Sequence, residues 1–101
     1  MSSYYPLASV NWRTVSGDVF YSEEFRPQEN VPLSEIMQVA AADSQVPFAR
    51  IRLLIGRELF DERSAEMNFF QLDAVKSALD ACRRRSDAPM IDITVVIICE
   101  Q

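Results

Sequence analysis

The sequence contains no histidine, and only two cysteines and two glycines occur among its 101 residues. A zinc site normally takes four nitrogen or sulfur ligands, so Cys82 and Cys99 alone cannot build one. The sequence also has no glycine-rich phosphate loop, no nucleophile elbow and no cysteine pair at redox spacing. We therefore expect no metal, no cofactor and no enzymatic activity.

Long apolar runs are missing as well. The longest, from Ile93 to Cys99, is too short to span a bilayer and has the length of a buried strand. No signal peptide is visible. We expect an intracellular protein, cytoplasmic or nuclear, whose thiols stay reduced, so that a disulfide between Cys82 and Cys99 is not expected.

The charge is acidic and diffuse, with a formal net charge of −5. This balance argues against nucleic acid or an anionic membrane as a partner and suits a basic partner or plain solubility. Lysine is nearly absent, because Lys76 stands against nine arginines. Side-chain acylation or ubiquitination would therefore be confined to one residue.

Length and composition indicate one globular domain, residues 8–101, preceded by a flexible N-terminal arm, residues 1–7. The domain begins with an alternating strand in which Val10 and Trp12 share a face. Gly17 marks a hairpin turn, and the antiparallel partner follows at residues 19–25. The alternation slips by one between Phe20 and Phe25, which predicts a bulge in this second strand.

The middle of the chain predicts a helix, then a strand and a tight turn. Pro32 suits the start of the helix, and the apolar spacing ends it near Asp43. Residues 51–55 alternate as a strand, Gly56 supplies the positive φ of a hairpin turn, and a short strand follows with a buried Leu59.

The C-terminal part predicts a second helix and a central strand. The helix, residues 69–85, carries one apolar stripe and an i, i+4 pair between Asp80 and Arg84. The members of the stripe are Leu72, Val75, Leu79 and Cys82. Residues 91–99 are nearly all β-branched and apolar, which is typical of a central strand. We expect the aromatic side chains of Trp12, Phe69 and Phe70 to belong to the core.

Taken in order, these segments resemble the ubiquitin-like β-grasp family. Thr14-Val15-Ser16-Gly17 is similar to the first hairpin turn of ubiquitin, and Val46-Pro47 is similar to the Ile-Pro after its helix. The segment from Arg52 to Leu59 resembles the next strand and turn, with the turn one residue shorter. The resemblance covers residues 8–61 and the last strand. It implies an α+β fold, a mixed sheet of four to five strands crossed by one helix, here with an additional helix inserted near residues 69–85.

The resemblance also implies a binding site. Val15, Leu54 and Val96 stand where ubiquitin carries its Leu-Ile-Val recognition patch, and Thr94 replaces the adjacent histidine. Three arginines would rim these side chains: Arg13, Arg52 and Arg57. Apolar side chains ringed by arginine are typical of a small protein-binding spot. The alternative is that the inserted helix covers this face and that Leu54 and Val96 are core residues.

Two hypotheses for function follow. The first is a non-conjugated, monomeric interaction module that presents this patch to ubiquitin-binding domains or the degradation machinery. Conjugation is not expected, because the sequence ends at Ile98-Cys99-Glu100-Gln101 without the Gly-Gly of ubiquitin; a longer precursor would change this. The second is a structural or adaptor domain that self-associates or docks through the inserted helix or a sheet edge.

Overall fold

The computed structural model describes residues 7–85 and 88–98. The strands are β1 (Ala8–Arg13), β2 (Val19–Phe25), β3 (Ile51–Ile55), β4 (Glu58–Phe60) and β5 (Met90–Ile97). The helices are α1 (Leu33–Ser44) and α2 (Asp73–Arg84), with short 3₁₀ turns at Phe48–Arg50, Glu62–Ser64 and Phe69–Gln71. The strands form one five-stranded sheet in the order β2-β1-β5-β3-β4. The predicted α+β architecture, a mixed sheet with two helices, is confirmed.

Strand β5 lies in the middle of the sheet, parallel to β1 and antiparallel to β3. Its side chains alternate, so that Ile91, Ile93 and Val95 are buried. The prediction of a central strand is confirmed, although the strand ends at Ile97. The expectation that Cys82 and Cys99 form no disulfide involves Cys99, which lies outside the described residues. Cys82 is a buried free thiol.

Helix α1 crosses the buried face of the sheet through Leu33, Ile36, Met37 and Ala40. Trp12 of β1 is fully buried beneath it, and its indole Nε1 donates a hydrogen bond to the carbonyl oxygen of Ile36 at 3.0 Å. Burying an indole N–H without an acceptor would be costly, so this bond allows the largest side chain of the core to sit there. Phe69 and Phe70 are also buried, as predicted.

The predicted irregularity of β2 lies at Phe20. Trp12 pairs with Tyr21 and Arg13 pairs with Val19, so Phe20 is an extra residue on β2. A bulge of this kind lets two consecutive residues turn toward the same side of a strand. Phe20 therefore packs against the core, and its neighbour Tyr21 faces the same inner side of the sheet.

The segment between β4 and α2 closes the start of α1. Pro32 precedes the helix and provides no side-chain cap. The first backbone N–H groups, those of Leu33 and Ser34, instead donate to the carbonyl oxygens of Met67 and Ala65 at 2.8 and 2.9 Å. These donors have no partner within their own helix, so the long insertion satisfies them.

Helix α2 starts later than predicted. Residues 69–71 form a 3₁₀ turn, Leu72 is extended, and the α-helix begins at Asp73. The apolar stripe packs against the domain itself, because Leu72, Val75 and Cys82 are buried and Leu79 is partly buried. The predicted pair between Asp80 and Arg84 is present at 3.0 Å. In the described segments no helix is both long and apolar enough to cross a membrane.

The predicted N-terminal arm, residues 1–7, falls almost wholly outside the described residues. Leu7, its last residue, is described and is exposed.

The close approach of α2 to the turn after β3 gives a stability prediction. Gly56 has a φ of +64°, and a Cβ there would lie 3.0 Å from the Cβ of Ala74 in α2. We expect Gly56→Ala to lower the free energy of unfolding by about 1–2 kcal/mol from the left-handed backbone, with a further loss from crowding. Urea unfolding followed by the fluorescence of Trp12, the sole tryptophan, measures it.

The control is the same change in an Ala74→Gly background. Removing the methyl group of Ala74 relieves the crowding and leaves the backbone strain, so Gly56→Ala should cost less there, with a coupling of at least about 0.5 kcal/mol. Equal losses in both backgrounds would contradict the packing of α2 on this turn.

Candidate protein-binding face

One face of the sheet turns away from α1, and we call it the outer face. It carries the alternate residues that the core does not use, because successive side chains of a strand point to opposite sides. Its members are Val19, Ser22 and Glu24 of β2, Ser9, Asn11 and Arg13 of β1, Arg52 and Leu54 of β3, Leu59 of β4, and Met90, Asp92, Thr94 and Val96 of β5. None of them belongs to the buried core.

Four of these residues form one row across the sheet. Thr94 of β5 pairs with Arg13 on one side and with Leu54 on the other, and Leu54 pairs with Leu59 of β4. Directly paired residues have Cβ atoms about 4.5–5.5 Å apart, close enough for their side chains to touch. Leu54 and Leu59 therefore make an apolar pair at the β4 edge, and Leu59 is 59% exposed.

Val96 and Val15 lie toward the other end of β5. Val96 pairs with Arg52 and is a diagonal neighbour of Leu54. Val15, 76% exposed at the tip of the first hairpin, and Val96 line a depression at the end of the sheet that also includes the core residue Val95 and Ser44 of α1. Val15 and Val96 thus line the same depression, and Val96 lies diagonally across from Leu54.

Two of the three predicted arginines lie on the outer face and are held by hydrogen bonds. Arg13 Nε donates to Asp92 Oδ1 at 3.0 Å, and its Nη1 donates to the carbonyl oxygen of Gly17 at 2.7 Å. Arg52 Nη1 donates to the carbonyl oxygens of Ala49 and Ile51 at 2.8 and 3.0 Å. These contacts fix the guanidinium groups before any partner arrives.

The third arginine, Arg57, sits differently. It is the exposed second residue of the turn between β3 and β4 and lies beyond the end of both strands. Its side chain is therefore at the margin of the outer face and not on the sheet.

The carboxylate of Asp61 lies near Arg52. The backbone N–H of Arg63 donates to Asp61 at 3.0 Å and holds the pKa of that carboxyl below its usual value. The Arg63 side chain and the charge of Arg52 lower the pKa further, while partial burial opposes them. Asp61 is ion-paired with Arg63 at 3.2 Å and also lies near Arg52, so it offsets only part of the positive charge on this side of the outer face.

A row of polar side chains crosses the outer face at Asn11. Ser22 Oγ donates to Asn11 Oδ1 at 2.7 Å, and Asn11 Nδ2 donates to Asp92 Oδ1 at 3.1 Å. This network crosses β2, β1 and β5. It separates the apolar side chains on β3, β4 and the end of β5 from the exposed Met90 at the start of β5, while the exposed Val19 of β2 pairs with Arg13.

The inserted helix leaves Leu54 and Val96 outside the core. Both side chains are half-buried and neither is among the buried residues. Helix α2 contacts the domain elsewhere, through Gly56 at its start and through Cys82, which is close to the carbonyl oxygen of Met90 near its end. The alternative in which α2 turns Leu54 and Val96 into core residues is therefore not what the structure shows.

The prediction of a buried Leu59 was wrong. Gly56 and Arg57 form a two-residue loop, flanked by the paired residues Ile55 and Glu58. This register places Leu59 opposite Leu54 on the outer face and Phe60 opposite Leu53 in the core, where Phe60 is 7% exposed. The signal was present in the sequence, because a turn one residue shorter reverses the facing of the strand that follows it.

No group of three or more His, Cys, Asp or Glu side chains able to hold a metal ion occurs within residues 7–85 and 88–98.

Comparison with known proteins gives the fold. No family model matches the chain, and no curated protein matches it in sequence. Solved structures do match it. The Arabidopsis thaliana protein At2g32350 has a TM-score of 0.55 at 11% identity, covering 98% of this chain and 95% of that one. A de novo design based on ubiquitin has a TM-score of 0.53 at 11% identity, covering 95% and 94%.

A third structure, the N-terminal ubiquitin-like domain in the 4931431F19Rik protein, has a TM-score of 0.51 at 11% identity, covering 100% of this chain and 84% of that one. Identities this low show the fold alone. The resemblance inferred from the sequence is confirmed at that level, because the neighbours include a ubiquitin-based design and a ubiquitin-like domain.

The reversed facing of Leu59 and Phe60 gives a second prediction. Leu59→Ala should change the free energy of unfolding by no more than about 0.5 kcal/mol, because the side chain is exposed. Phe60→Ala should cost about 3 kcal/mol, because it empties a core position. Urea unfolding of the two single variants compares them directly. A larger loss for Leu59→Ala than for Phe60→Ala would show that the register of β4 is wrong.

Proposed function

We propose that this ubiquitin-like domain is a protein-binding module that uses the apolar part of its outer face, Leu54, Leu59 and Val96 with Val15 at the hairpin tip. The partner class suggested by the fold is a ubiquitin-binding domain or a component of the degradation machinery. The observation that carries the proposal is the pairing of Leu54 with the exposed Leu59 on a sheet face that α1 does not cover.

The anatomy of the face supports this role. Single exposed apolar side chains are ordinary, but paired leucines with a valine beside them form a contiguous patch that is bounded by polar groups. All three side chains stand on strands, and the neighbouring Arg13 and Arg52 are already fixed by hydrogen bonds. A pre-organised surface loses less conformational entropy on binding, which favours affinity.

The charged side chains around the patch should contribute more to selectivity than to affinity. Arg13 is paired with Asp92, and Asp61, which is paired with Arg63, lies near Arg52, so part of the positive charge around the patch is offset. We therefore expect affinity to come chiefly from burial of the leucines and valines, and the arginines to restrict the orientation of the partner.

The adaptor hypothesis has two versions, docking through the inserted helix and docking through a sheet edge. Docking through the inserted helix gains no support, because the apolar stripe of α2 is already used within the domain. Docking through a sheet edge is favoured by the position of β2 at one end of the sheet, where it pairs with β1 alone among the described strands.

The proposal predicts that Leu54→Asp abolishes binding while the domain stays folded. A charge placed in the centre of a small apolar interface should raise the dissociation constant at least tenfold, which is a loss of about 1.4 kcal/mol or more in binding free energy. The measurement is fluorescence anisotropy with labelled ubiquitin-interacting helices, together with urea unfolding of the variant.

The matched control is Met67→Asp, which introduces the same charge at an exposed apolar side chain away from the outer face. Equal weakening by both variants would mean that the effect on binding comes from net charge alone. Unfolding of Leu54→Asp would mean that Leu54 is a core residue. A wild-type domain that binds none of the helices would rule out this partner class.

A further inference from the structure

The C-terminal end of α2 carries three consecutive arginines, Arg83, Arg84 and Arg85, and all three are exposed. In a chain with a formal net charge of −5, they form a local cluster of the opposite sign. Positive side chains at the end of a helix are favoured by the helix dipole, and Arg84 also pairs with Asp80 at 3.0 Å. Arg83, by contrast, has no ion pair within residues 7–85 and 88–98, so its charge is available to a partner.

A depression adjoins this end of the helix. It has a volume of about 360 Å³ and is lined by Cys82 and Arg85 on the helix side and by Ala88, Met90 and Asp92 at the start of β5. Cys82 is buried, and its Sγ lies 4.0 Å from the carbonyl oxygen of Met90. The side chain of Met90 is 51% exposed and gives the depression an apolar rim. An apolar side chain of a partner can therefore enter here.

Two of the arginines flank this depression. Successive residues of an α-helix are turned by about 100°, so Arg83 and Arg85 lie on either side of Cys82 on the helix surface. Arg85 Nη2 is 3.9 Å from Cys82 Sγ, which places its guanidinium group at the edge of the depression. The result is an apolar centre with a positive group on each side.

Asp92 is the acidic member of the lining and is already engaged. Its Oδ1 accepts hydrogen bonds from Arg13 Nε at 3.0 Å and from Asn11 Nδ2 at 3.1 Å. The ion pair with Arg13 offsets the charge of Asp92. Asp92 therefore opposes a negatively charged occupant less than a carboxylate without a partner would.

Charge and shape together select the occupant. Arginine pairs with carboxylates in a bidentate geometry, and methionine adapts its shape to an apolar neighbour. A nucleic acid or an anionic membrane is a poor occupant, because its extended charge would also meet the acidic remainder of the domain. A short acidic segment would meet chiefly the arginines, since exposed charges are screened beyond about 10 Å.

We infer that the end of α2 and the depression beside it bind a short acidic segment of another protein. Carboxylates of that segment pair with Arg83 and Arg85, and one apolar side chain between them enters the depression against Met90 and Cys82.

This surface differs from those already considered. The apolar stripe of α2 packs within the domain, so the helix contributes its C-terminal end and not its stripe. The network from Ser22 through Asn11 to Asp92 separates Met90 from the apolar side chains of Leu54 and Val96. Two partners can therefore occupy the domain together, and the inference stands independently of the proposed function.

The test uses three short synthetic peptides, each with a fluorescent label. The first has a central leucine flanked by glutamates, the second has serine in place of the leucine, and the third has lysines in place of the glutamates. Fluorescence anisotropy should show binding of the leucine–glutamate peptide, at least fivefold weaker binding of the serine peptide, and no binding of the lysine peptide.

Two double variants separate the arginine cluster from overall charge. Arg83→Glu with Arg85→Glu should weaken binding of the leucine–glutamate peptide at least tenfold. Arg26→Glu with Arg57→Glu makes the same charge change at exposed positions elsewhere and should have a much smaller effect. Urea unfolding of both variants shows whether they remain folded.

A second pair of variants tests the depression without changing the end of the helix. Met90→Ser should weaken binding of the leucine–glutamate peptide at least threefold, whereas Met67→Ser, at another exposed methionine, should leave it unchanged. This pair decides the matter if the Arg83 and Arg85 variant fails to fold. Leu54→Asp should have no effect, which distinguishes this surface from the outer-face patch.

Four outcomes would overturn the inference. A leucine–glutamate peptide that fails to bind the wild-type domain would do so, as would equal weakening by the two arginine double variants. Equal effects of Met90→Ser and Met67→Ser would show that the depression takes no part. A labelled oligothymidylate that binds as tightly as the leucine–glutamate peptide would assign the arginines to a general attraction for anions.

Discussion

The central strand β5 couples the core to the candidate site, because its alternate side chains serve both. Ile91, Ile93 and Val95 fill the buried side, and the residues between them face outward. The parallel pairing with β1 and the antiparallel pairing with β3 then set which side chains stand beside Thr94 and Val96. A slip of one residue would expose the core and bury the outer face, so hydrophobic burial fixes the site as firmly as it fixes the fold.

The turn at Gly56 and Arg57 extends the same constraint to the edge of the sheet. With two residues in the loop, Leu59 must share the face of Leu54 and Phe60 must share the face of Leu53. The start of α2 rests against this turn at Ala74, so the glycine is required both by its backbone conformation and by the space around it. The composition of the outer face therefore depends on a local feature of the chain that is also part of its packing.

Much of the fold could be predicted from the sequence, because local periodicity carries it. The alternation of β3, the stripe of α2 and the β-branched run of β5 each gave the correct element. The bulge in β2 was predicted from a slip in the alternation, and the structure locates it at Phe20.

The features that were not predicted from the sequence depend on contacts between distant residues or on the exact length of a turn. The start of α1 is closed by the carbonyl oxygens of Ala65 and Met67, more than 30 residues away, and no local pattern announces such bonds. The short 3₁₀ turns lack a period long enough to detect. For the candidate site, Leu54 and Val96 lie on the outer face and Val15 at the hairpin tip, whereas the exposed Leu59 was missed because its facing depends on the exact length of the turn at Gly56 and Arg57.

The central claim is that the outer face is the surface that binds a ubiquitin-interacting helix. The most direct measurement is an NMR titration of the ¹⁵N-labelled domain with such a helix. The account predicts amide shift changes clustered at Leu54, Leu59, Thr94 and Val96, with Tyr21 and Val39 unchanged. Changes confined to β2 and α1, or no changes at all, would contradict it.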